Sequence, residues 1–175
     1  MDKSENRLLV TDDNRIIAID LTTGYRSILS SAEDSVGNGE SFGRIGALAI
    51  DPFNRKLIAT GVVADKPGLF EVDLMTGNRT LLENICADVP TYFDIEFYDT
   101  YYAHHPIVLD PTNSELHLFG KEMFTLNLKT NECIANEVDY GWDVAKTSLG
   151  QWFSVTQNEL IQFDVASNER VVISK

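Results

Sequence analysis

The densest concentration of chemically capable side chains lies between Asn84 and His105, which includes Phe93, Phe97 and Tyr102 beside eight polar or ionisable candidates. Those candidates are Tyr92, Asp94, Glu96, Tyr98, Asp99, Tyr101, His104 and His105. Carboxylates and imidazoles are what a metal ion requires, and tyrosines beside carboxylates suit a sugar-like or cationic ligand. The eight are therefore the expected ligand-binding set, with no catalytic residue assigned. His104 and His105 are adjacent and point to opposite sides of an extended segment, so one of them with Asp94 or Glu96 makes the better ion pair of ligands. No cofactor is required, and calcium is the ion such an acidic set would accept. The competing reading is structural, with the aromatics covering the core below and the charges facing water. The length of the stretch exceeds ordinary connections, which favours function.

Other chemistry is thinner. Ser30 to Arg44 is a second long connection, glycine-rich and acidic. Its Gly37-Asn38-Gly39 looks like part of a phosphate loop but lacks the following Lys-Ser/Thr and a helix to receive the anion, so it reads as a turn. Ser, His and Asp are present without a GxSxG elbow or other nucleophile setting. Cys86 and Cys133 are too few for a disulfide framework and lack CxxC spacing. They read as two separate, partly buried thiols, with a bridge as the alternative. Trp142 and Trp152 fit packing positions.

The elements that must position these residues follow from a repeat. Four times an apolar strand runs into an acid or amide, one more apolar residue and a turn: Ile16 to Arg26, Leu69 to Arg79, Met123 to Glu132 and Leu160 to Arg170. The aligned Asp20, Asp73, Asn127 and Asp164 recur at intervals near the roughly 40 to 50 residues of a four-stranded propeller blade. Ahead of three copies lies strand, turn, strand: Ile45 to Gly61 and Pro106 to Gly120 around Asp-Pro turns containing Asn, and Trp142 to Thr156 around Ser148-Leu149-Gly150. Proline pre-sets such a turn and Asn tolerates its tight conformations. Thr23-Gly24 and Thr76-Gly77 mark the last hairpin of the first two copies, with Asn131 and Asn168 in the same place. The recurrent Asp or Asn before each hairpin reads as a turn acceptor rather than a catalyst.

The expected fold is thus all-β: β-propeller repeats, about four blades of four antiparallel strands, spanning roughly 6–30, 45–84, 105–138 and 141–175 as one domain. Blade one has strands near 7–11, 15–21 and 25–29 but no innermost strand. No window carries helical periodicity.

Composition fits this reading. The chain has 175 residues, 43% hydrophobic and 10% aromatic, ample for a core. A net charge of −13 would repel nucleic acid and anionic membranes alike. MDKSENRLLV holds no signal-peptide core and no run approaches a membrane span. As written the chain reads as soluble and cytoplasmic, or extracytoplasmic if a leader is missing.

Ser30 to Leu82 resembles the repeat of bacterial propellers of the NHL and gluconolactonase-like (senescence-marker-protein-like) superfamily. The residues that carry the resemblance are Gly37 to Phe42, Leu48-Ala49-Ile50-Asp51, Asn54 to Leu57 and Leu69 to Leu82, including Asp73-Leu74-Met75-Thr76-Gly77-Asn78-Arg79. The lactonases of that superfamily hold a divalent cation with a Glu, an Asn and an Asp from separate blades, a set with no residue-by-residue match here. Relatives of this kind have more blades and often a secretion signal.

Four blades with two open faces imply either a piece of a longer propeller or two copies closing an eight-bladed ring by twofold symmetry. A homodimer or larger assembly is the expectation. The function expected is a noncatalytic binding or assembly module for a protein, peptide or small polar ligand. The alternative is a divalent-metal-dependent hydrolase or lactonase of the gluconolactonase-like kind.

Overall fold

The computed structural model describes residues 1–63, 66–83, 85, 106–119, 123–136, 143–147 and 149–175. Among these there are fifteen strands and no helix, gathered into four antiparallel sheets. Blade one is β1 (Arg7–Asp12), β2 (Arg15–Asp20) and β3 (Arg26–Ser30). Blade two is β4 (Ile45–Asp51), β5 (Lys56–Val63), β6 (Lys66–Asp73) and β7 (Arg79–Leu82). Blade three is β8 (Ile107–Asp110), β9 (Glu115–Phe119), β10 (Met123–Asn127) and β11 (Cys133–Asn136). Blade four is β12 (Asp143–Lys146), β13 (Trp152–Val155), β14 (Leu160–Phe163) and β15 (Arg170–Ser174). Each sheet is a meander in which sequence neighbours pair, the form of a propeller blade. The expected all-β propeller repeats are present, and blade one has three strands among the described residues.

Two turn devices recur and explain why the strands end where they do. Asp20, Asp73, Asn127 and Asp164 each accept two backbone N–H bonds through Oδ1, from Thr22 and Thr23, Met75 and Thr76, Lys129 and Thr130, and Ala166 and Ser167. These bonds hold the three Asp carboxyls below their usual pKa. The turn then needs a left-handed residue, met by Gly24 (φ 72), Gly77 (φ 71), Asn131 (φ 62) and Asn168 (φ 56). The second device follows the inner strand. Asp51 and Asp110 cap their Asp-Pro turns by accepting from Phe53 and Asn54, and from Thr112 and Asn113. In blade four Thr147 takes the place of Asp, its Oγ1 accepting from Leu149 and Gln151.

The chain forms two compact units, one built on Met1–Asn84 and the other on His105–Lys175. In the first unit, Leu9, Ala18 and Leu29 of blade one pack against Leu57, Ala59, Phe70 and Val72 of blade two. Alternation along each strand puts these residues on one face, so the seam is a face-to-face contact of two pleated sheets. In the second unit, Phe119 and Met123 of blade three meet Val144, Trp152 and Phe163 of blade four. Full burial of each such side chain is worth roughly 1.5–3 kcal/mol.

Candidate functional site

The eight residues expected to bind a ligand, Tyr92, Asp94, Glu96, Tyr98, Asp99, Tyr101, His104 and His105, lie outside the described residues. Trp142 lies outside them too. Among the described residues no group of three or more His, Cys, Asp or Glu side chains is placed to hold a metal ion. Three other features of the described residues bear on function: a strap in the first unit, a polar seam in the second, and the outward faces of blades one and four.

The strap is the second long connection, 31–44. Gly37 and Gly39 lie on the last hairpin of blade two with no room for a side chain: a Cβ on Gly37 would stand 2.0 Å from the Gly77 carbonyl oxygen, and one on Gly39 would stand 1.9 Å from that of Arg79. Asn38 donates its N–H to Asn78 Oδ1 at 2.8 Å and accepts from the Arg79 N–H at 2.6 Å. The Arg79 guanidinium is buried beneath it and finds no carboxylate among the described residues. It donates to the carbonyls of Glu40 (2.8 Å), Val36 (2.9 Å), Gly37 (3.4 Å) and Gly39 (3.4 Å), and to Ser30 Oγ at 2.8 Å. Its carbon sits 5.4 Å from the Phe42 ring centroid, and burial pulls its pKa below the ordinary guanidinium value. The glycines therefore serve close backbone packing, and the whole connection ties blade one to blade two.

The polar seam lies between blades three and four. His117 occupies the β9 position that Leu9 holds in β1, Ile58 in β5 and Phe153 in β13. Its ring meets Trp152 edge-on at 4.7 Å and its Nδ1 lies 3.1 Å from Thr125 Oγ1, which also accepts from Asn136 Nδ2. Nε2 is buried without a hydrogen bond, 3.9 Å from Glu115 Oε2. Burial first, then the nearby Lys146 charge, pushes the His117 pKa down to about 4, with Asp110 acting weakly the other way. Lys146 bonds Asp110 Oδ2 at 2.7 Å and lies 4.9 Å from the Trp152 ring centroid. That bond leads the effects holding Asp110 below its usual pKa. A neutral, enclosed imidazole and a paired ammonium make a packing seam rather than a nucleophile with its base. The sequence signal that would have found it is the single His in the apolar run Glu115 to Phe119.

The outward faces are apolar. On blade one, Leu8 is 38% exposed, and Val10, Ile17, Ile19 and Ile28 on the same face are half-buried. The residues at the Leu8 position in the other blades, Leu57, Leu116 and Trp152, are 0%, 0% and 6% exposed. On blade four, the face turned from blade three carries Phe153 and Leu160, half-buried, with Val155 and Val171 exposed. At the Val155 position blades two and three bury Thr60 and Phe119.

Cys133, half-buried on the outermost strand of its sheet, is disulfide-bonded, which corrects the expectation of two separate thiols. Cys86, the chain's other cysteine, lies outside the described residues. A thiol on an outer strand is open to a partner in a way that a core thiol is not.

No family model matches the chain, and no curated protein matches it. Solved structures do. TolB from Acinetobacter baumannii is similar with a TM-score of 0.61 at 14% identity, covering 96% of this chain and 40% of that one. An auxiliary nutrient binding protein from Bacteroides thetaiotaomicron gives 0.59 at 14%, covering 98% and 40%. The extracellular domain of a putative hybrid two component system from the same species gives 0.61 at 13%, covering 100% and 24%. At such identities the likeness establishes the propeller-type fold alone, and this chain spans well under half the length of these three structures.

Proposed function

We infer that this chain is a noncatalytic propeller section that works by binding and assembly, with a second copy of itself completing the ring. The observation that carries the reading is the pair of apolar outward faces, on blade one around Leu8 and on blade four around Val155, at positions that the other blades bury. Apolar sheet faces of this kind are interaction surfaces. The face of blade four has the position pattern that meets a following blade, and the face of blade one the pattern that meets a preceding one. Two copies with twofold symmetry would bury both faces twice, in a ring of eight blades. Similar structures that are themselves longer, among them an auxiliary nutrient binding protein and the extracellular domain of a putative hybrid two component system, support a role in binding. The repeat is best described as NHL and gluconolactonase-like, on the Ser30 to Leu82 motifs. The ligand surface is the stretch from Tyr92 to His105, whose carboxylates and tyrosines suit a small polar ligand or a peptide. A disulfide at Cys133 fits an oxidising, extracytoplasmic setting.

Sedimentation velocity tests the assembly. The expected result is a species of twice the 19.6 kDa chain mass at micromolar concentration, converted to monomer by Val155→Asp. A native chain that sediments as a stable monomer over the same range defeats the reading.

A further inference from the structure

The strap 31–44 carries the one Asn-Gly pair of the sequence, Asn38-Gly39, at the place where it lies on the last hairpin of blade two. Asparagine is thermolabile, because the main-chain nitrogen of the following residue can attack its carboxamide carbon. Glycine in that following place leaves the approach uncrowded, since it has no Cβ. Asn38 and Gly39 are both exposed, and Gly39 has φ 111. Asn38 is held through its main chain, its N–H donating to Asn78 Oδ1 and its carbonyl accepting from the Arg79 N–H. Among the described residues nothing bonds its carboxamide or the Gly39 N–H. Other carboxamides are tied: Nδ2 of Asn54 donates to Asp51 at 2.8 Å, that of Asn113 to Asp110 at 3.2 Å and that of Asn136 to Thr125 at 3.1 Å.

What surrounds the pair makes its main-chain length critical. On either side of Asn38 the strap is seated without slack, a Cβ on Gly37 meeting the Gly77 carbonyl oxygen at 2.0 Å and one on Gly39 meeting that of Arg79 at 1.9 Å. The carbonyls that hold the buried Arg79 guanidinium also flank Asn38, those of Val36 and Gly37 before it and those of Gly39 and Glu40 after it. One extra atom in the main chain at Asn38 would put the two sides out of register with the hairpin, and several of those bonds would be lost together.

We propose that Asn38 is a site of spontaneous covalent modification, converting through a cyclic imide with Gly39 to aspartate and isoaspartate, and that the isoaspartate form releases the strap from blade two. The Gly39 nitrogen gives its proton to solvent and bonds to Asn38 Cγ, while the Cγ–Nδ2 bond breaks and Nδ2 leaves as ammonia. Water then opens the imide. Cleavage at Cγ leaves an ordinary aspartate, whereas cleavage at the Asn38 main-chain carbonyl carbon leaves isoaspartate, whose main chain runs on through Cβ and Cγ and is one atom longer. Water is the only co-reactant, and nothing is oxidised or reduced. Both products add a negative charge, but only the longer one disturbs the seat of the strap. Because the strap ties blade one to blade two, the modification loosens that tie irreversibly with the age of the molecule. The inference goes beyond the assembly reading, since it requires neither a second copy nor a ring.

Peptide mapping of the full chain after incubation at physiological pH and temperature is the test. The tryptic peptide 27–44 holds no other amide side chain, so a gain equal to the mass difference between amide and acid reports Asn38 alone. Isoaspartyl methyltransferase then identifies the isoaspartate fraction. In that fraction the Arg79 amide, which is bonded to the Asn38 carbonyl in the native chain, should exchange its hydrogen roughly tenfold faster. Asn38→Asp, which adds the charge without lengthening the main chain, should exchange as the native chain does, and Asn38→Gln should gain no mass over the same period. If the 27–44 segment stays unmodified in the folded chain while the isolated peptide of the same sequence reacts, the proposal is overturned. Equal Arg79 exchange in the isoaspartate and native forms, or equal acceleration in Asn38→Asp, overturns the release of the strap. A monomeric chain in sedimentation leaves all of these results untouched.

Discussion

At the scale of single residues, His117 places a titratable group where other blades use Leu9, Ile58 or Phe153. Its folded pKa of about 4 lies below the ordinary 6.5 because burial and Lys146 disfavour the charged ring. As pH falls below 6.5 the unfolded chain takes up a proton that the folded chain refuses until about pH 4. Stability is therefore full above 6.5 and declines between 6.5 and 4, by up to about 3 kcal/mol from this residue. Urea unfolding across that window should show the decline, and His117→Phe should flatten it. Asp110, whose pKa is lowered, contributes a separate loss beneath its ordinary 3.8. A second comparison at this scale uses two glycines with nearly the same backbone. Gly24 (φ 72) has nothing within 4 Å of an added Cβ, whereas at Gly77 (φ 71) the Leu29 carbonyl oxygen would lie 1.9 Å away. Gly24→Ala should cost only left-handed strain, about 1 kcal/mol, and Gly77→Ala roughly 3 kcal/mol or more, read as the difference in denaturant midpoint.

At the scale of elements, the strap 31–44 shows which parts of the molecule are legible in advance. The strands of blade one match their sequence expectation to within one residue, because alternation and Asp, Asn and Gly turn chemistry are local properties. β6 begins three residues earlier than expected because it continues past Leu69 to pair with β5 as far as Val63 and Lys66. The strap's purpose is not local. Gly37 and Gly39 are needed because a hairpin some forty residues away presses on them, and Arg79 is buried because that same strap supplies its carbonyl acceptors. Nothing near Arg79 in sequence distinguishes it from Arg26 or Arg170, which close the same repeat but are exposed. Arg79→Met would leave several buried carbonyls without a donor, and a loss of about 3 kcal/mol in chemical denaturation is expected. Arg79→Lys should recover only part of it, since an ammonium lacks the fork that reaches five acceptors.

At the scale of the whole molecule, the question is what covers the two apolar faces. If the faces meet a second copy, the apparent stability of the native chain rises with its own concentration, because a partner that binds only the folded state shifts the equilibrium by mass action. Thermal unfolding at 1 and 100 micromolar should then differ in midpoint for the native chain and coincide for Val155→Asp. The sequence by itself determined the all-β propeller repeats and the positions of their strands, since period-two alternation and turn residues act within a few positions of one another. Only the tertiary structure decided that the glycine-rich connection is a strap and that His117 is a neutral seam residue. Each of these depends on contacts between segments far apart in the chain, which no local pattern encodes.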